Sequence, residues 1–112
     1  MRILDRDEPV YMIGVAARIC RVHPQTLRMY ERLGLVAPQR INSKNRMYSE
    51  ADIERLHQIQ TLTQEMGVNL AGVEVILDLL DKMRRMREEM EQEMNHAVQE
   101  MEQRLRDAMR GR

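Results

Sequence analysis

The chain has 112 residues, with 18 Lys or Arg against 18 Asp or Glu and a formal net charge of zero. A single cysteine excludes an internal disulfide framework. The longest apolar run, Val10 to Ala17 even counting Gly14, falls short of the roughly 20 residues a membrane span needs, and three Tyr with no Phe or Trp leave little for a base-stacking platform.

The zero balance hides a polarity. Residues 1–48 carry nine Lys/Arg against four Asp/Glu, and residues 49–112 carry nine against fourteen, so +5 stands in front of −5. Only the front half could lie along a phosphate backbone. Asp5, Asp7 and Glu8 are out of place in a signal peptide, and the lone thiol suits a reducing compartment, so a cytoplasmic location is expected. Gly and Pro punctuate the chain up to Gly72 and are absent from Val73 to Arg110, where Met, Glu, Arg and Gln, all good helix formers, dominate. A compact front domain and a long helix are expected.

In chain order, Ile13, Ala16, Ala17 and Cys20 fall at i, i+3, i+4 and i+7, one face of a short helix. The next helix opens at His23-Pro24, because proline suits the first helical position, where its missing N–H has no partner anyway. It runs through Leu27, Tyr30 and Glu31 and stops at Gly34; the gap between the two helices is short enough for helix-turn-helix. Leu35-Val36-Ala37-Pro38 is an extended exit. Gln39 to Tyr48, with Asn42, Ser43 and Asn45 at its centre, predicts a short hairpin with a basic tip. Ser49-Glu50-Ala51-Asp52 is a serine cap followed three residues later by an acid. Ile53, Leu56, Ile59, Gln60, Leu62 and Thr63 form the inner face of the helix it starts, which Gly67 ends. Asn69 caps a further helix with Leu70, Val73, Ile76, Leu77 and Leu80 inward.

Beyond this, Val75, Leu79, Met83, Met86, Met90, Met94, Ala97, Met101, Leu105 and Ala108 are spaced 4, 4, 3, 4, 4, 3, 4, 4, 3. A strict heptad frame from Ile76 puts Arg87 and Arg104 on the seam, so an eleven-residue repeat fits better and predicts a nearly straight or slightly right-handed coiled coil. From Met83 to Arg110 such a helix is about 42 Å long. The front domain is too small to cover it, and a second copy related by a two-fold axis is the simplest partner. Met83, Met86, Met90, Met94, Ala97, Met101, Leu105 and Ala108 are therefore the expected dimerisation residues. Cuprous-ion binding by the thioethers is the weaker reading, since soft-metal sites recruit Cys or His nearby.

Cys20-Arg21-Val22-His23 has C-x-x-H spacing but no second half-site, and His57 and His96 lack ligand-spaced partners. No Ser/His/Asp set, phosphate loop or paired-acid cleft is present in the sequence pattern, so neither an enzyme nor a resident metal or cofactor is expected. The basic set is more informative. Arg18, Arg21, Arg28, Arg32, Arg40, Lys44 and Arg46 face one acid, Glu31, between residues 9 and 48. Arg28 and Arg32 share a face of the second helix, and Arg40, Lys44 and Arg46 lie on the hairpin beside it. A helix fits the major groove and a basic hairpin the adjacent phosphates, which is the winged helix-turn-helix arrangement.

Tyr11-Met12-Ile13-Gly14-Val15-Ala16-Ala17, Pro24 through Pro38 with its Thr26-Leu27-Arg28-Met29-Tyr30-Glu31-Arg32-Leu33-Gly34-Leu35 core, and Arg46-Met47-Tyr48-Ser49-Glu50-Ala51-Asp52-Ile53 resemble the MerR family of bacterial transcription regulators. The resemblance covers residues 10 to about 80, with a dimer helix following. Within the family, His23 through Arg28 and Gly67 through Val73 are similar to heat-shock repressors of the HspR type. The resemblance implies a mainly α chain: a winged helix-turn-helix domain over residues 9–80, then a dimerisation helix over 81–110. It implies that Gln25, Thr26 and Arg28 face DNA, that Arg46 is the wing arginine, that Tyr48 anchors the wing to the core, and that Leu27 and Tyr30 are core. With the basic set, the expected DNA-binding residues are Arg18, Gln25, Thr26, Arg28, Arg32, Arg40, Lys44 and Arg46.

The sequence departs from the family in Met29, where Tyr is frequent, and in Met47, which replaces a second wing arginine. The family usually breaks the chain before the dimer helix. Here no Gly or Pro marks a break, so it lies near Asp81-Lys82 or is absent. The metal-sensing members of the family place cysteines around the dimer helix, and this sequence has none there; no effector domain is expected. By the resemblance, the protein represses heat-shock and chaperone genes as a homodimer on an inverted-repeat double-stranded operator, associated with the nucleoid, with the DnaK chaperone as co-repressor. Alternatives are an effector-responsive activator of the same family, an excisionase-like architectural protein, and a coiled-coil adaptor.

Overall fold

The computed structural model describes residues 5–111 and has the order β1 (Tyr11–Met12), α1 (Ile13–Cys20), α2 (Pro24–Arg32), β2 (Gln39–Arg40), β3 (Arg46–Tyr48), α3 (Glu50–Gln60), a π-helical turn (Thr61–Glu65) and α4 (Leu70–Arg110). The mainly helical, winged helix-turn-helix reading holds. The chain forms two units, divided between Glu74 and Val75.

In the first unit, α1 buries Ala16, Ala17 and Cys20. It ends because Arg21 turns left-handed at φ 57°, which lets the Val22 amide reach back to the Ala17 carbonyl at 3.0 Å. Three residues later α2 starts on Pro24, with the His23 ring nitrogen Nδ1 accepting from the Gln25 amide at 3.1 Å. Gly34, at φ 76°, closes α2 in the same way, with the Leu35 amide on the Tyr30 carbonyl at 3.0 Å. Leu27 and Tyr30 are buried, and Leu35 and Val36 follow them into the core.

The expected hairpin is present. β2 and β3 pair antiparallel with Gln39 opposite Met47 and Arg40 opposite Arg46. Asn42 shapes its tip, its side-chain oxygen accepting from the Lys44 and Asn45 amides at 2.9 and 3.0 Å. A third strand was not signalled by the sequence, since two residues are too few to show alternation. It is β1, which pairs with β3 so that the order is β1-β3-β2.

The capping box at Ser49 and Asp52 forms both of its hydrogen bonds, at 2.9 and 3.1 Å. Ile53, Leu56 and Ile59 are buried. The α-helix does not continue through Leu62 and Thr63 as the apolar spacing predicts. The Thr63 hydroxyl donates to the Ile59 carbonyl at 2.9 Å, the acceptor that the Thr63 amide would use in an α-helix, and the chain widens into a π turn before Gly67. Asn69 caps α4, accepting from the Gly72 amide at 2.8 Å.

α4 is a single helix from Leu70 to Arg110, with no break near Asp81-Lys82. Val73 and Leu77 are buried, whereas Leu80, expected inward, is exposed. Its position is one turn beyond the last buried residue of the helix.

Candidate nucleic-acid interface

On α2 the buried pair Leu27 and Tyr30 fixes which side is left for a partner. Gln25, Arg28, Met29 and Arg32, at i, i+3, i+4 and i+7, share the opposite face. Gln25 and Arg32 are exposed, Arg28 and Met29 half-buried at its edges. Thr26 is half-buried on one flank of this face and Glu31 on the other. Arg18 is exposed in the last turn of α1. Among the described residues no carboxylate pairs with Arg18, Arg28, Arg32 or Lys44.

The two wing arginines differ. Glu31 receives both of them: Arg40 Nη2 on one carboxylate oxygen at 2.7 Å and Arg46 Nε on the other. Arg40 Nη1 also donates to the Ser43 carbonyl at 3.3 Å across the turn. Glu31 and Arg46 side chains are each only 18% exposed. Burial raises the Glu31 carboxyl, but the hydrogen bonds from Arg46 and Arg40 outweigh it and hold the group below the ordinary carboxylate range. In the sequence alone, Glu31 stands out as the one acid among seven cations. That isolation was the available signal, since the one carboxylate in a basic stretch has several cations to pair with.

Tyr48 is fully buried at the end of β3, and burial pushes its hydroxyl up to about 12. Its hydroxyl has no hydrogen-bond partner. Burial also pushes up the Cys20 thiol, which makes it a packing residue with little thiolate character. Among the described residues no group of three or more His, Cys, Asp or Glu side chains could hold a metal ion, and no helix is long and apolar enough to cross a membrane.

The arrangement is one of display. A short helix presents polar and cationic side chains, a basic hairpin stands next to it, and both rest on one core. Hydrogen-bonding groups on such a helix can meet base edges in a major groove while the hairpin meets phosphates.

Residues 11–89 match the family model of MerR HTH family regulatory proteins. The chain is 54% identical over 76 residues to a heat shock protein HspR of Streptomyces coelicolor, a match covering 68% of this chain and 50% of that protein. It is 40% identical over 73 residues to a mercuric resistance operon regulatory protein of Bacillus cereus, covering 64% and 54%. It is 31% identical over 72 residues to the HTH-type transcriptional regulator GlnR of Bacillus anthracis, covering 64% and 55%. The chain spans about half the length of these curated relatives.

Proposed function

The chain belongs to the MerR family of helix-turn-helix regulatory proteins, and from that premise we propose that it is a sequence-specific DNA-binding repressor of heat-shock and chaperone genes. Residues 9–80 form the reading domain and 81–110 the dimerisation helix. Two copies bind an inverted-repeat operator in the cytoplasm, on the nucleoid, and block transcription sterically. Gln25, Thr26 and Arg28 meet bases; Arg18, Arg32, Arg40, Lys44 and Arg46 hold phosphates. DnaK acts as co-repressor.

One observation carries this reading: the outward face of α2, Gln25, Arg28, Met29 and Arg32, stands on the side of the helix opposite the buried Leu27 and Tyr30. The heat-shock assignment is supported by the 54% identity to the HspR protein, which is higher than that to the mercuric resistance or GlnR regulators. The exposed Met83, Met86, Met90, Met94, Met101 and Leu105 support the second copy.

The test is capture of fragments of the source genome by the purified full chain, with and without DnaK. Enrichment of inverted repeats upstream of chaperone genes, stronger with DnaK, is expected. Equal recovery of all fragments would overturn sequence-specific repression. Selective recovery unaffected by DnaK would remove the co-repressor and leave the rest.

A further inference from the structure

A surface built only to attract a polyanion would carry no acid. This one carries Glu31, with its two oxygens on two different wing arginines. β3 is held by its pairing with β1 and by the buried Tyr48, but β2 is only two residues long and pairs with β3 alone, too little to fix the outer part of the hairpin. The Asn42 turn shapes the tip but ties it to nothing else. Glu31 belongs to α2, the helix that also bears Gln25, Arg28 and Arg32. Its carboxylate thus joins the two wing arginines to the reading helix.

We infer that Glu31 is a positioning residue that sets DNA selectivity, clamping Arg40 and Arg46 to the recognition helix so that the wing meets the backbone in one register while its charge toward random duplex is partly cancelled. This rests on the DNA-binding reading above. Two consequences follow from one carboxylate. The clamp favours the site at which helix and wing both fit, because the wing is already placed and little ordering remains on binding. The negative charge disfavours every other site, where binding is counterion release alone. The Arg46 contact uses Nε, so the clamp does not consume its Nη groups.

The experiment compares wild type, Glu31→Gln and Glu31→Asp as full chains. The probes are the genomic fragment captured most strongly by wild type and a poly(dI-dC) duplex of equal length, titrated from low to moderate salt. In Glu31→Gln, affinity for poly(dI-dC) should rise, its salt dependence should steepen by about one to two per dimer, and the ratio of specific to non-specific affinity should fall about tenfold or more. Glu31→Asp, which keeps the charge, should restore the poly(dI-dC) affinity.

Hydrogen exchange on the same proteins without DNA supplies a separate readout. The hairpin amides, including that of Ile41, which bonds the Asn45 carbonyl at 3.1 Å, should exchange faster in Glu31→Gln while those of α3 are unchanged. General unfolding would instead speed both and weaken both affinities. An unchanged ratio together with unchanged hairpin exchange overturns the clamp while leaving the regulator reading intact. Wild type that binds neither duplex overturns both.

Discussion

Tyr11 on β1 stands directly opposite Tyr48 on β3, and the two phenols have opposite fates: the Tyr11 hydroxyl donates to the Glu50 carboxylate, while the Tyr48 hydroxyl is buried without a partner. The central strand of the sheet is therefore fastened by the Tyr48 ring and not by its oxygen. An unmet buried hydroxyl costs about 1–3 kcal/mol. Tyr48→Phe keeps the ring and removes that cost, so it should leave stability unchanged or raise it by about 1 kcal/mol. Tyr48→Ala should cost about 3–5 kcal/mol through the cavity it leaves. Urea denaturation at one fixed protomer concentration checks both, since the stability of the proposed dimer would depend on concentration.

The same residue governs behaviour in alkali. Its hydroxyl is held at about 12, against an ordinary value of 10.0, because burial disfavours the phenolate. The unfolded chain gives up this proton first. Its contribution is therefore fully present below about pH 10 and is lost as pH rises towards 12, by roughly 2–3 kcal/mol in all. Tyr48→Phe should flatten that part of the stability profile. Tyr11 and Tyr30 are also raised and leave a residual slope. Parallel profiles for wild type and Tyr48→Phe would show that the hydroxyl is not withheld from water in solution.

At the start of α3, Ser49 and Asp52 each satisfy the other's backbone amide. Ser49→Ala should cost about 0.5–2 kcal/mol. The double variant Ser49→Ala/Asp52→Ala should cost less than the sum of the two single changes, because breaking either bond frees the turn that holds the other. Chemical denaturation of the three proteins measures the coupling.

For DNA, Arg28 and Lys44 should separate cleanly. Arg28 is on the outward face of α2, and Arg28→Ala should cost about 1–3 kcal/mol on the captured operator and relax selectivity there. Lys44, at the hairpin tip, should act on phosphate alone. Lys44→Ala should weaken operator and random duplex alike and lower the salt slope, near −7 if about four phosphates are neutralised per protomer, by about two per dimer. Titration at several salt concentrations reads both effects. An Arg28→Ala protein with wild-type selectivity would remove α2 from the reading role.

The elements that the sequence announced are those written in local chemistry. Pro24 after His23, the Ser49 and Asp52 pair, Asn69 and the turn at Asn42 each act within three or four residues, so their spacing is their mechanism. What escaped is decided over longer range. β1 exists because β3 offers it an edge, and nothing in Tyr11-Met12 alone says strand. The π turn depends on a hydroxyl at Thr63 choosing the Ile59 carbonyl over solvent. Arg21 ends α1 in a conformation usually left to glycine, which its residue type does not advertise. The site shows the same division: the cations of α2 and the hairpin are candidates by their spacing, but the Glu31 bridge is visible only once the fold brings Arg40 and Arg46 within reach of its carboxylate.

The methionine seam offers the sharpest quantitative expectation. Met90 and Met94 are each 66% exposed on α4, and Val98 and Met109, outside the ten-residue stripe, are exposed as well. Val98 and Met109 are eleven residues apart, as are Met83, Met94 and Leu105, so they widen the same face instead of forming another. The apolar face is thus broader around Ala97-Val98 and Ala108-Met109 than the stripe of single residues implies, and small alanines beside larger side chains suit close packing of two helices. In a two-fold pair every substitution occurs twice. In the proposed dimer, Met94→Glu would put two charges where two thioethers would be buried, forgoing about 1.5–3 kcal/mol of apolar burial per copy before any desolvation cost. The dimer dissociation constant should rise roughly a hundredfold or more. Met94→Leu, near in volume, should leave it within about tenfold. Sedimentation velocity across the micromolar range distinguishes these outcomes, and a Met94→Glu protein that sediments as wild type would show that this face is not where two copies meet.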